Sequence, residues 1–281
     1  MIAMSVLSAT GAAPPRRRRR RNWSALRRDL ARWRRRARWA WRRFSAAPRP
    51  LRIAVIATTV LALCATTNMV YQVVRKPTEM FFPVAGALDK LPAATWAEYG
   101  PLFQEYSTPA VPPELLAALA QVEGAGNPLA RTYWRWRLTW NPLAIYAPAS
   151  SAVGMYQMTD GTFAAARQAC IRDHAVTDDC WFTGLYSRVL PSHAIELAAV
   201  SLDRQATAIL TQRPRHARAT LQQRQDLAAL IHLCGAGPAR AFARRGFQLL
   251  PGQRCGAHDA ARYLAAVNAM KQQFVRFAAL P

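Results

Sequence analysis

The stretch LLAALAQVEGAGNP, Leu115 to Pro128, sets leucines at helical spacing and then a single carboxylate, Glu123, where Gly124, Gly126 and Pro128 stop the helix. Leu115, Leu116, Leu119 and Val122 make one apolar face, the three-and-four spacing of a core-facing helix. Glu123 is therefore expected at a helix end, facing a groove and partly shielded by apolar neighbours, a setting suited to proton transfer. Taken alone, a single Glu at a helix end is more often just a solvated side chain.

The same periodicity recurs outward from this stretch. Helical runs are expected near 112–123, 160–172, 192–211, 220–233 and 257–277, separated by Pro and Gly. Ile195, Ala199, Leu202, Ala206 and Ile209 form a second core face. Strand signals are scarce, so the expected fold class is all-α. Asp160 is the expected N-cap of the run that begins there.

Charge is concentrated at one end. Residues 1–52 hold 17 of the 38 basic residues and one acid, Asp29, so the basicity belongs to a segment and not to the fold. Arg16–Phe44 interleaves Trp23, Trp33, Trp39 and Trp41 with arginines, a composition that suits anionic lipid headgroups at a membrane surface. Nucleic acid phosphate is the weaker alternative, because a basic tract alone is poor support for it. Ile53–Val74 then runs 22 positions without a charge, enough to cross about 30 Å of hydrocarbon as a helix, although Asn68 and Gln72 weaken its outer end.

The expected organisation is a cytoplasmic Arg/Trp-rich segment (1–52), an uncleaved transmembrane signal anchor (53–74), a linker (75–94) and an exported domain (95–281). The arginine asymmetry puts the N-terminus in the cytoplasm of a bacterium and the domain in the periplasm, single-pass in the inner membrane. A cleaved signal peptide fits less well: the basic region is too long, and Leu63 stands where the lipoprotein-like LALC needs a small residue.

Four cysteines remain beyond Cys64, an even number that suits an oxidising compartment. Proximity favours Cys170 with Cys180 and Cys234 with Cys255, among three possible pairings. His232, Cys234, Cys255 and His258 form a two-Cys, two-His alternative for zinc, but the H-x-C spacing is not a usual zinc pattern, and no metal is expected.

A second segment, SSAVGMYQMTDGTFAAAR (Ser150 to Arg167), joins Glu123 in a recognisable order. Glu123 with Asn127-Pro128, then GMYQMT (Gly154 to Thr159), then LCGAGP (Leu233 to Pro238) resemble the three marks of the soluble lytic transglycosylase family, related in fold to goose-type lysozyme. The resemblance covers roughly residues 110–245. It departs from the family at three positions: Gly124 replaces a Ser, Cys234 a Tyr and Gly235 an Asn. His232 lies two residues from Cys234 and so does not share its helix face, and the Tyr's role is not assigned to it.

The resemblance implies a lysozyme-like helical domain that cleaves the MurNAc–GlcNAc β-1,4 bond of peptidoglycan strands with one acid. Glu123 would serve as acid and then base, giving 1,6-anhydromuramyl ends, with Gln157 and the backbone of Gly154, Met155 and Tyr156 positioning the sugar. No organic cofactor is needed. Between the marks, Arg131–Ser151 is longer than the family norm. Its Tyr133, Trp134, Trp136, Trp140 and Tyr146 suit either sugar stacking or core cover, with Trp134, Trp140 and Tyr146 taken as candidate sugar contacts. Arg131, Arg135 and Arg137 suit either acidic wall groups or solvent. Two further readings stay open: a lysozyme-type muramidase releasing reducing ends, and a catalytically weak glycan-binding or assembly module; an enzyme would serve either wall turnover or an envelope-spanning machine.

Overall fold

Helix accounts for 64% of the described residues in a computed structural model that describes residues 23–81, 83–181, 183–212 and 219–279. The contacts divide the chain into two compact units between Ala65 and Thr66.

The first unit holds α1 (Trp23–Ala46) and the first part of α2 (Arg49–Arg75). The basic segment before Trp23 lies outside the described residues. Along α1, Trp33, Trp39 and Trp41 are exposed, and the Arg43 guanidinium sits 4.2 Å over the Trp39 ring. Helix α2 has 27 residues, about 40 Å at 1.5 Å per residue, and is long and apolar enough to cross a membrane. Ile53, Ile56, Val60, Leu61 and Leu63 are all exposed, unlike the side chains of a packed core helix. The helix begins four residues before the expected start of the span.

The second unit is a bundle whose helix starts reflect local chemistry. Proline opens α3 (Pro92–Glu105), α4 (Pro113–Gly124) and, further along the chain, α6 (Pro191–Thr211), where its missing N–H costs no intrahelical bond. Between α4 and α6 lie β1 (Trp134–Trp136), β2 (Tyr146–Pro148), α5 (Asp160–Ala166), β3 (Cys170–Arg172) and β4 (Ala175–Thr177). After α6 come α7 (Leu221–Cys234), α8 (Ala236–Arg244), β5 (Arg254–Cys255), β6 (His258–Asp259) and α9 (Ala260–Ala278). Thr220 and Gln223 form a reciprocal capping box on α7, and the Asp259 carboxylate caps α9. Helix α4 packs on α9 and α3, and α6 on α7. Leu115, Leu116, Leu119, Ile195, Ala199, Leu202, Ala206 and Ile209 are buried as their spacing predicts, while Val122 is only partly covered.

Several expectations change. Thr159, not Asp160, caps α5: its hydroxyl accepts from the Thr162 N–H, and Asp160 instead pairs with Arg188 at 2.8 Å. Helix α5 stops at Ala166, and the chain then turns into the β3–β4 hairpin instead of continuing as helix. Helices α3 and α8 lie outside the expected runs and contain Pro101 and Pro238; Pro238 is tolerated because it lies in the first turn. Within the expected linker, 3-10 turns form at Pro77–Phe81 and Ala85–Leu88, and Glu79 and Ala85 are buried. The cysteines pair as proximity indicated, Cys170 with Cys180 and Cys234 with Cys255, so neither Cys234 nor Cys255 is a free thiolate for zinc.

Candidate active site

Helix α4 ends in a tight reversal that presents Glu123. Ala125 takes the left-handed conformation (φ 51°) and its N–H reaches the Gln121 carbonyl at 2.9 Å, an αL-type closure, while the Gly126 N–H reaches the Ala120 carbonyl at 3.1 Å. Asn127 is buried beyond it. Its side-chain amide donates to the Ala85 carbonyl (2.6 Å) and to the Asp89 carboxylate (2.7 Å), while its side-chain oxygen accepts from the Leu129 N–H. The segment before α3 is thereby fastened to the helix end that carries the acid.

The GMYQMT loop packs on the same end. A Cβ at residue 124 would stand 2.8 Å from the Met155 Cα, so a residue larger than glycine would push the loop away. Gly154 (φ 80°) accepts no side chain either, because the Arg188 carbonyl occupies the space. Its N–H donates to the Ala130 carbonyl at 2.8 Å. Met155 and Tyr156 are buried in the core, and the Tyr156 hydroxyl donates to the Leu116 carbonyl at 3.1 Å. Their side chains are therefore scaffold, leaving only their backbone for a ligand. Gln157, in the left-handed region at φ 43°, is partly exposed and donates to the Gly154 carbonyl at 3.0 Å.

Glu123 keeps a side-chain exposure of 19% and has two neighbours from distant elements. The Tyr263 hydroxyl, from α9, donates to Oε1 at 2.5 Å, and His232 Nε2, from α7, lies 3.6 Å from the same oxygen. The first is a short hydrogen bond; the second is beyond direct hydrogen-bond range. Burial, then the Glu123 charge, then the bond to Glu123 push the Tyr263 hydroxyl well above the ordinary tyrosine range, so it remains a donor. With Oε1 occupied, Oε2 is the oxygen available for transferring a proton.

Sequence reasoning found Glu123 but not these partners. Tyr263 shares the apolar face of α9 with Val267 and Phe274, where a tyrosine reads as core. The two-residue spacing of His232 and Cys234 predicts different helix faces, and the two do diverge: Cys234 turns to Cys255 while His232 lies near Glu123.

A cleft of about 540 Å³ opens at Glu123, walled by Ala85, Gly86, Asp89, Asn127, Arg131 and Tyr133 among others. Asp89 and Glu123 are the carboxylates lining it among the described residues, and Asp89 was not foreseen. Of the aromatics in Arg131–Ser151, Tyr133 reaches this cleft; Trp134, Trp140 and Tyr146 do not line it. Trp134 Nε1 donates to the buried Glu79 carboxylate at 2.7 Å, and Tyr146 stacks on Trp136 with ring centroids 4.6 Å apart. The cause is a buried charge: Glu79, with 0% exposure, draws Lys76 (3.0 Å), Arg131 (3.1 Å) and the Trp134 indole around itself. Glu196 and Asp203 are structural acids, the first accepting from the Ile171 N–H at 3.0 Å and the second from the Thr108 hydroxyl at 2.7 Å.

A comparison with models of protein families finds no match to this chain, and a comparison with curated proteins finds none either.

Proposed function

We propose that the chain is a membrane-anchored peptidoglycan lytic transglycosylase with a lysozyme-like domain. The observation that carries this reading is Glu123: a partly shielded carboxylic acid at the end of α4, in an open cleft, with one oxygen held by Tyr263. Its setting next to the GMYQMT loop adds to the resemblance in the motifs. In this reading Glu123 gives its proton to the glycosidic oxygen between MurNAc and GlcNAc. The C1–O bond breaks, GlcNAc leaves with a free 4-hydroxyl, and the substrate's own acetamido group stabilises the positive charge on the muramyl ring. The Glu123 carboxylate then takes the proton of the muramyl O6 hydroxyl as O6 bonds to C1, closing the 1,6-anhydro ring and restoring the acid. Tyr263 remains a donor in both steps and Gln157 orients the sugar.

Asp89 favours a second reading. A carboxylate in the same cleft can direct a water to C1, which makes the enzyme a lysozyme-type muramidase with reducing ends. The glycan-binding or assembly reading leaves the Tyr263–Glu123 bond without a purpose.

Helix α2 is the anchor in this proposal, with the basic α1 segment against anionic lipids of the inner-membrane cytoplasmic face and the domain in the periplasm, as the arginine asymmetry directs. Service to an envelope-spanning machine is compatible with that location. The test is digestion of purified peptidoglycan by the full-length protein in detergent, with mass analysis of the muropeptides. Ends lighter by one water support the transglycosylase, reducing ends support the muramidase, and intact glycan with tight binding overturns both.

A further inference from the structure

The most exposed large apolar side chains among the described residues are Leu138 and Trp140, with relative exposures of 109% and 104%, and they stand at the tip of the β1–β2 hairpin. Two polar side chains of α2 hold that hairpin. Asn68 Nδ2 donates to the Tyr146 carbonyl at 2.8 Å, and Gln72 Nε2 donates to the Leu143 carbonyl at 2.6 Å. These residues precede Arg75 by seven and three positions, about 10 and 4.5 Å along the helix axis. Arg75 and Lys76 are the first charges after the uncharged run, so the hairpin is fastened to α2 below the level where the charged side chains begin.

We infer that the Leu138–Trp140 tip is a membrane wedge that seats in the outer leaflet beside α2, an inference that rests on α2 crossing the bilayer. A lipid surface fits the chemistry of the tip. Trp is the side chain that favours the membrane–water boundary, with an apolar body and an N–H for the headgroup level. Arg131–Ser151 carries three arginines and no acid, so phosphate headgroups meet no like charge there. Arg137, next to the tip, has its guanidinium pinned by the Pro148 and Ala149 carbonyls and lines, with Arg75 and Lys76, a cavity of about 700 Å³ whose acid, Asp160, is paired with Arg188 at 2.8 Å, which leaves the net charge of the lining positive. The wedge also accounts for Asn68 and Gln72, two polar residues otherwise out of place in a span: they satisfy hairpin carbonyls that would lack water at that depth. Its effect is to hold the catalytic unit at a defined height over the bilayer.

The test uses the full chain with Cys64→Ser and a single environment-sensitive fluorophore on Leu138→Cys or, independently, Trp140→Cys. Each is reconstituted into vesicles of phosphatidylethanolamine and phosphatidylglycerol, with Gln248→Cys as the solvent control and native Cys64 as the probe of the span. The expected result is blue-shifted emission at 138 and 140, quenching by lipids spin-labelled high in the acyl chain, and several-fold protection from iodide relative to 248. Quenching at Cys64 but solvent-like emission at both 138 and 140 overturns the wedge and leaves the span standing. Solvent-like emission at Cys64 as well overturns the span, and the wedge with it.

Discussion

The hydroxyl of Tyr263 donates to Oε1 of Glu123 at 2.5 Å, joining the end of α4 to α9 across 140 residues of sequence. The bond divides the labour of one carboxyl group: Oε1 is held and Oε2 is free to exchange a proton. Tyr263→Phe keeps the ring in the core and removes the donor. A hydrogen bond to a charged group contributes about 1.5–3 kcal/mol, so the turnover of peptidoglycan should fall about ten- to a hundredfold while glycan binding in a pull-down assay is retained.

Glu123→Gln keeps size and most hydrogen bonding but cannot exchange a proton, and the rate should fall by about 10² to 10⁴. Asp89→Asn separates the two chemistries. Anhydro ends that persist in the muropeptide spectrum of Asp89→Asn identify O6 as the attacking group, whereas a loss comparable to that of Glu123→Gln identifies a water directed by Asp89.

Glu79 is fully buried between Lys76, Arg131 and the Trp134 indole. Removing its carboxylate takes away the charge that these groups surround, and breaking a buried ion pair costs about 3–5 kcal/mol. Glu79→Ala should lower the thermal midpoint of the full-length protein in detergent and reduce activity without touching the proton-transfer groups, since Arg131 also walls the Glu123 cleft.

The disulfide Cys234–Cys255 closes a loop of 21 residues that contains α8. Replacing both cysteines by serine should cost about 3 kcal/mol in a chain-entropy estimate, read as a lower urea midpoint. Because α7 also carries His232, the same variant should lose activity before it unfolds.

Alkaline pH should destabilise the fold. Burial raises the hydroxyls of Tyr99, Tyr106 (pushed up to about 12), Tyr156, Tyr186 and Tyr263, with nearby carboxylates adding to all but Tyr156. Above about pH 10 the unfolded tyrosines lose protons that the folded ones keep, so stability is full below that pH and falls as pH rises through the raised values. Lys271 acts oppositely. Burial lowers it, against the pull of Asp226 and Glu114, so its contribution rises with pH up to about 10.4 and then stops. Urea midpoints measured from pH 8 to 11.5 should therefore fall only in the upper part of the range, and less steeply in Tyr263→Phe.

What the sequence determined by itself is whatever repeats locally. The apolar spacing of Leu115, Leu116 and Leu119 and of Ile195 to Ile209 defines two buried helix faces, the uncharged run forms a helix long enough to cross a membrane, and short separations select the two cysteine pairs. Glu123 was legible because glycines come directly after it. Tertiary structure alone decided what surrounds the acid, because Tyr263 and His232 reach it from α9 and α7 and Asp89 enters its cleft from the segment before α3, and no period or short motif records a proximity of that separation. It also decided against Trp134 as a wall of the Glu123 cleft: a buried carboxylate at Glu79 needs donors, and the indole N–H satisfies it. The hairpins were invisible for a simpler reason, since strands of two or three residues are too short to show an alternation.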